Sequence, residues 1–234
     1  MSKRFERSRA LLGDAAMEKL KNAHVAVFGC GGVGGYAIEA LARTGVGRIT
    51  VVDFDTVSES NINRQIIAET KTVGAEKTAI FRERILAINP DADVSVITEL
   101  VTAENADGII GGCNPDFVID AIDTVRAKIA IIASCKDRGI EVVSSMGTGN
   151  KTEPSRLKIT DISKTNTCPL ARAVRLGLKK AEIRGVSVLW SDERPATLCV
   201  DSKNGRHAPA SLIFVPATAG LLLARHAVMK IIRV

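Results

Sequence analysis

The chain has 234 residues, 46% of them hydrophobic and 25% charged, enough to bury the core of one large α/β domain or two small ones. Its five cysteines, at positions 30, 113, 135, 168 and 199, contain no C-x-x-C pair, which speaks against a zinc knuckle or a disulfide framework and favours reduced thiols in a cytoplasm. The formal charge of +6 and a pI of about 9.2 favour an acidic partner, with tRNA or another nucleic acid the natural candidate.

Residues 1–13 show neither the apolar core nor the cleavage signal of a leader. Leu11, Leu12, Ala16 and Leu20 give helical spacing over 8–20. Residues 25–28 read as a buried strand, 33–43 as the helix after it and 48–53 as a second strand. A helix over 75–88 is stopped by Asn89-Pro90. Strands follow at 93–98 and 117–120, then a helix over 127–138 closed by Gly139, then a strand at 141–145. Aromatic residues make up only 3% of the chain, so Val, Ile, Leu and Ala must build the core. That composition and the strand–helix alternation predict a doubly wound, mostly parallel α/β sheet.

Beyond residue 145 the pattern changes. A loop at 147–150 leads to a strand over 156–162, a basic amphipathic helix over 169–180 and a strand over 186–190. Residues 191–210 are polar and read as a mobile loop. Residues 217–234 are apolar but carry Arg225, His226, Lys230 and Arg233, so they predict a core helix and not a membrane span. No internal repeat appears. The second part reads as an extension of the first sheet.

Gly29-Cys30-Gly31-Gly32-Val33-Gly34 is a G-x-G-x-x-G turn between a strand and a helix. Residues without Cβ let the backbone approach phosphate, and the helix N-terminus supplies free N–H groups. Asp53 ends the second strand 19 residues after Gly34, where a carboxylate accepts ribose hydroxyls in Rossmann-like folds. The motif alone does not separate NAD, FAD and ATP. The next segment does. A dehydrogenase passes quickly to its next helix, whereas this chain inserts a polar loop with Asn61 and Arg64, then Lys77 near a helix start. A cation there opposes the helix dipole and makes sense if it faces a triphosphate. Arg64 supplies a planar fork and Lys77 a point charge.

At this point the chain resembles the ubiquitin-activating-enzyme-like adenylating family, which includes bacterial activators of sulfur-carrier proteins. The matching residues are Arg4-Phe5-Glu6-Arg7, the glycine turn, Asp53-Phe54-Asp55, Asn61-Ile62-Asn63-Arg64-Gln65, Lys77 and Asp120-Ala121-Ile122-Asp123. The resemblance implies one adenylating domain over 1–234, with a nucleotide-binding half at 1–145 and a substrate-binding half at 146–234. It implies that Gly29, Gly31, Gly32, Gly34 and Asp53 hold ATP, and that Asn61, Arg64 and Lys77 contact its phosphates. Asp123 would bind or position Mg²⁺. Arg7 would reach the phosphates of a neighbouring subunit, which makes the expected protein a homodimer. Asp120 and Asp123 both follow a strand at the carboxyl edge of the sheet, where ligands bind; a helix N-cap is the plainer role for Asp123.

Residues 154–172, 186–195 and 214–220 resemble one branch of that family, which closes a ring in the threonylcarbamoyladenosine beside the tRNA anticodon. The resemblance implies that the threonyl carboxylate attacks the α-phosphate of ATP and that the acyl-adenylate is then attacked from within its own side chain. The alternative is activation of the C-terminal glycine of a ubiquitin-like sulfur carrier. A cysteine desulfurase or sulfur-transfer protein is a further candidate partner of the chain. The absence of zinc cysteines and the basic second half favour the tRNA branch. A third reading, a non-catalytic nucleotide-binding module, sits poorly with Arg7, Arg64, Lys77 and Asp123 together. Arg172, Arg175, Lys179, Lys180 and Arg184 are candidates for tRNA backbone contacts, as is His207 in the basic 203–207 loop. Cys168 is either a reactive thiol helped by Arg172 or a structural residue before proline. Trp190 is read as core. His24 and His226 receive no role.

Overall fold

The computed structural model describes residues 3–196, 199–201 and 207–233, the last two segments in part as backbone only. Seven strands form one sheet: β1 (His24–Phe28), β2 (Arg48–Val52), β3 (Asp93–Ile97), β4 (Phe117–Asp120), β5 (Glu141–Ser145), β6 (Leu157–Asp161) and β7 (Ser187–Ser191). Their order is β3-β2-β1-β4-β5-β7-β6. All neighbours are parallel except the edge pair β6–β7. The chain therefore reverses its winding between β1 and β4. The loops after those two strands diverge there, at the carboxyl edge where doubly wound sheets place their ligands.

Strand alternation builds two cores. Val25, Val27, Ile49 and Val51 face one side, packed on Leu41, Phe81, Leu223 and Ala227. Ala26, Phe28, Val118 and Trp190 face the other, packed on Ile110, Ile131, Val174 and Leu178. The first layer contains α2 (Asp14–Asn22), α3 (Gly34–Thr44), α4 (Lys77–Ile88) and α8 (Phe214–Arg233); the second contains α5 (Ala106–Cys113), α6 (Val125–Asp137) and α7 (Pro169–Lys180). α8 is long and apolar enough to cross a membrane. Here Val215, Ala219, Leu223 and Ala227 bury it in the core, and a Cβ on Gly220 would lie 2.2 Å from the Val33 carbonyl, so α8 rests directly on α3.

Two expectations are corrected and one helix is added. The single helix over 8–20 is two, α1 (Glu6–Leu12) and α2, because Gly13 sits between them at φ +85°. Helix α5 is absent from the sequence reading, although Ala106, Ile109, Ile110 and Cys113 stand at helical spacing. The polar stretch 191–210 contains β8 (Cys199–Asp201) and β9 (His207–Pro209), which pair antiparallel, and Ala196 and Ala210 bond to Asn150. Residues 203–206 and the His207 side chain lie outside the described residues, so the RNA contact expected there does too.

Candidate active site

A cavity of about 590 Å³ opens at the reversal of winding. Gly29, Gly31, Gly32, Asp53, Asn61, Arg64, Lys77 and Asp123 all line it. Residues far apart in sequence thus converge, as expected from the motifs. Gly34 does not line it. A Cβ there would sit 1.8 Å from the Gly29 carbonyl, so Gly34 closes the turn by packing. Gly29 has φ +87° and touches Ala121. Gly31 differs from both: a Cβ on it would meet nothing nearer than Gln65 Nε2 at 3.7 Å. No protein atom demands its glycine, and the open space faces the cavity. No side chain caps α3 at its N-terminus, which leaves N–H groups of its first turn for an anion.

Asp53 stands where the ribose acid was expected, and it also ties the turn down. Its Oδ2 accepts from Cys30 N and its Oδ1 from Asp55 N at 2.9 Å. Burial, then the Asp53 charge, pushes the Cys30 thiol well above its ordinary range, so Cys30 is a small buried filler and not a nucleophile. Asn61 is buried, and its Oδ1 accepts from Ser58 N at 3.1 Å in a capping box. That leaves its Nδ2 for a ligand.

Lys77 is the first residue of α4 and only 4% exposed. Its Nζ donates to Asp55 Oδ2 at 2.8 Å. Asp55 thus offsets the unfavourable cation at the helix start. Arg64 is half-buried, and its Nη1 donates to the Ser60 carbonyl and to Asn63 Oδ1 at 2.8 and 2.9 Å. Burial lowers its pKa from the usual arginine value, though a guanidinium stays charged in proteins.

The two carboxylates after β4 divide. Asp123 is exposed, lines the cavity and, among the described residues, accepts only from Thr124 Oγ1 at 3.4 Å. Thr124, not Asp123, is the N-cap of α6. Asp120 is fully buried and does not line this cavity. It accepts from Lys128 Nζ at 2.9 Å, Ser144 Oγ at 2.6 Å and Ile122 N at 3.2 Å. That removes Asp120 from the metal candidates. No group of three or more His, Cys, Asp or Glu could hold a metal among the described residues, an arrangement that fits a cation held by one carboxylate, phosphate oxygens and water.

Arg7 lies on α1, exposed and away from the cavity lining of its own chain. Cys168 is 3% exposed at the N-cap of α7. Trp190 is core: its Nε1 donates to Thr160 Oγ1 at 2.8 Å, and Lys158 Nζ lies 4.8 Å from the ring centroid. His24 begins β1 and bonds Thr50 Oγ1 at 2.8 Å. His226 packs edge-on against Phe117. On the basic helix, Arg172, Lys179 and Lys180 are exposed, as is Arg184 beyond it, while Arg175 turns back to the Thr165 carbonyl at 2.8 Å.

Sequence reasoning gave no role to Asp55, Gln65 and Lys128. Gln65 lines the cavity, and its buried Oε1 has no hydrogen-bond partner among the described residues, an orphaned polar group of the kind that calls for an explanation. Its place directly after Arg64 was the available signal. Lys128 had none, since its partner is set by the meeting of α6 with β4.

Known proteins resemble this chain along most or all of its length. A tRNA threonylcarbamoyladenosine dehydratase of Bacillus subtilis is 42% identical over the whole chain and 96% of its own length. The enzyme of the same name from Escherichia coli is 43% identical over 75% of the chain and 65% of its own length. Crystal structures described as E. coli tRNA N6-threonylcarbamoyladenosine dehydratase in complex with ATP and with AMP superpose with TM-scores of 0.89 and 0.90 at 36% identity; the ATP complex covers 99% of this chain and 94% of that one. E. coli MccB with ATP, at 21% identity and TM-score 0.69, shares the fold. A model of the ThiF family matches residues 5–234, and the chain belongs to that family.

Proposed function

We propose that this protein is an ATP-dependent tRNA threonylcarbamoyladenosine dehydratase. The observation that carries the reading is one cavity uniting the glycine turn, Asp53, Arg64 and Lys77 at the carboxyl edge of the sheet. The names and ATP and AMP complexes of its relatives support it. Relatives named as adenylyltransferases match over less of the chain, which leaves sulfur-carrier activation the weaker alternative.

The threonyl carboxylate attacks the α-phosphorus of ATP, an oxygen–phosphorus bond forms, and the bond to pyrophosphate breaks. The α3 N-terminus and Gly31 receive phosphate oxygens, and Asp53 takes the ribose. Arg64 and Lys77 neutralise charge that develops on the departing pyrophosphate, an electrostatic task that needs no movement of a preorganised site. Asp123 would hold Mg²⁺, which supplies further charge neutralisation. Attack on the acyl carbon from within the same side chain then closes the ring and releases AMP. That step is intramolecular, with effective molarities up to about 10⁵–10⁸ M in well-oriented cases. No protein nucleophile is required, so Cys168 has a structural role. The exposed cations of α7, with Arg184, contact the tRNA backbone.

We extend this reading to a cytoplasmic homodimer, in which Arg7 of one subunit reaches the phosphates in the other. Nucleoside mass spectrometry of tRNA incubated with enzyme, ATP and Mg²⁺ should show threonylcarbamoyladenosine converted to a product lighter by one water. EDTA should abolish the conversion. Mixing Arg7→Ala with Lys77→Ala protein should restore activity neither has alone. Unchanged threonylcarbamoyladenosine under conditions where ATP binds would sink the assignment.

A further inference from the structure

Arg64 does not set its own direction. Both of its hydrogen bonds, to the Ser60 carbonyl and to Asn63 Oδ1, fall on Nη1. Among the described residues it makes no other, which leaves Nε and Nη2 as an unengaged two-donor edge on a residue that lines the cavity, the geometry that grips phosphate oxygens.

Asn63 faces two ways. While Oδ1 accepts from Arg64, Nδ2 donates to the Ser211 carbonyl at 2.9 Å, 148 residues further along the chain. The flipped amide would set N–H against guanidinium and oxygen against carbonyl, so chemistry fixes this orientation. Ser211 lines the cavity, and its neighbour Ala210 is pinned on both backbone groups. Ala210 N donates to Asn150 Oδ1 at 2.6 Å, and Asn150 N donates to the Ala210 carbonyl at 2.7 Å. Asn150 does this from the left-handed region, at φ +57°, a conformation that asparagine tolerates better than most residues. A continuous path thus joins Asn150, beyond β5, through Ala210, Ser211 and Asn63 to the fork of Arg64.

We propose that Asn63 is a positioning residue: it aims Arg64 at the nucleotide phosphates and ties that aim to the 210–211 segment, whose Ser211 also lines the cavity. The proposal rests on the reading that Arg64 meets ATP phosphates. Because Asn63 is exposed, its substitution leaves the core intact.

Calorimetric titration of the full chain with α,β-methylene-ATP and with adenosine tests it. Asn63→Ala should weaken the ATP analogue about tenfold, the size of one lost charge-assisted hydrogen bond, and leave adenosine unchanged. In an Arg64→Ala background the same substitution should change analogue affinity less than about twofold, because its effect passes through Arg64. Asn63→Asp keeps the bond to Arg64 and loses the donor to Ser211, and should fall between. Asn150→Ala should weaken the analogue selectively. Equal losses for adenosine and analogue, or additive losses in the double variant, overturn the proposal while leaving Arg64 in the site. An Arg64→Ala protein that binds the analogue normally overturns both.

Discussion

Two aspartate–lysine pairs of nearly equal length flank the same loops and are built for different ends. Lys128 and Asp120, 2.9 Å apart, are both completely enclosed. Lys77 and Asp55, 2.8 Å apart, sit on the cavity wall with the Asp55 side chain 47% exposed. An enclosed pair has no other partner to turn to, and removing one member strands a charge where water cannot reach it. A pair at the mouth of a cavity can share its lysine with an arriving anion. Burial, and not distance, separates the structural pair from the working one.

Breaking the enclosed pair should have the largest effect on the fold. Lys128→Ala leaves Asp120 uncompensated and should cost about 3–5 kcal/mol of stability, read from the denaturant midpoint. A cost below about 1 kcal/mol would show that Asp120 is not locked. Joint replacement, Asp120→Asn with Lys128→Met, should recover much of the loss. At the cavity, Lys77→Ala should reduce AMP formation about 100- to 1,000-fold, the range for losing one preorganised donor, with little change in the midpoint. If it unfolds the protein as Lys128→Ala does, the contrast between the pairs fails.

A cluster of two ion pairs on one carboxylate sharpens the scale at its exposed end. Asp192 accepts from Lys158 and Arg156 at 2.6 and 2.7 Å, and these bonds, that from Lys158 first, hold its pKa down to about 2. Its folded value lies below the unfolded carboxylate value of about 3.9. Its contribution is therefore complete above about pH 4 and lost as pH falls towards about 2. Asp192→Asn should flatten the pH dependence of stability in that window alone. An NMR titration of the carboxylate with a midpoint near 3.9 would mean that the clamp on β6 does not form.

The same contrast explains what the sequence made legible. The glycine turn, Asp53 and the strand–helix alternation are local patterns, and they appear where read. Asn61, Arg64 and Lys77 converge because the polar loop and helix α4 both follow β2. Helix α5 hid because Gly108, Gly111 and Gly112 lower its propensity. Strands β8 and β9 are three residues each, too short for an alternation to show. Asp120 read as a ligand because its partners Lys128 and Ser144 are supplied by other elements. Asp55 went unassigned because a buried lysine looks like an exposed one in sequence. Pairings made only by tertiary packing leave no local trace.

One further feature sets a distance. Helix α6 starts two residues after Asp123 and runs 13 residues, about 20 Å. A Cβ on Gly177 would lie 2.1 Å from Ile129 Cδ1, so the Ile129 side chain of α6 packs directly on the backbone of the basic helix α7. On the proposed function, α6 then works as a measuring rod between the reacting phosphates and the cations that hold the RNA backbone. The spacing of base to stem would be gauged by a helix that touches neither.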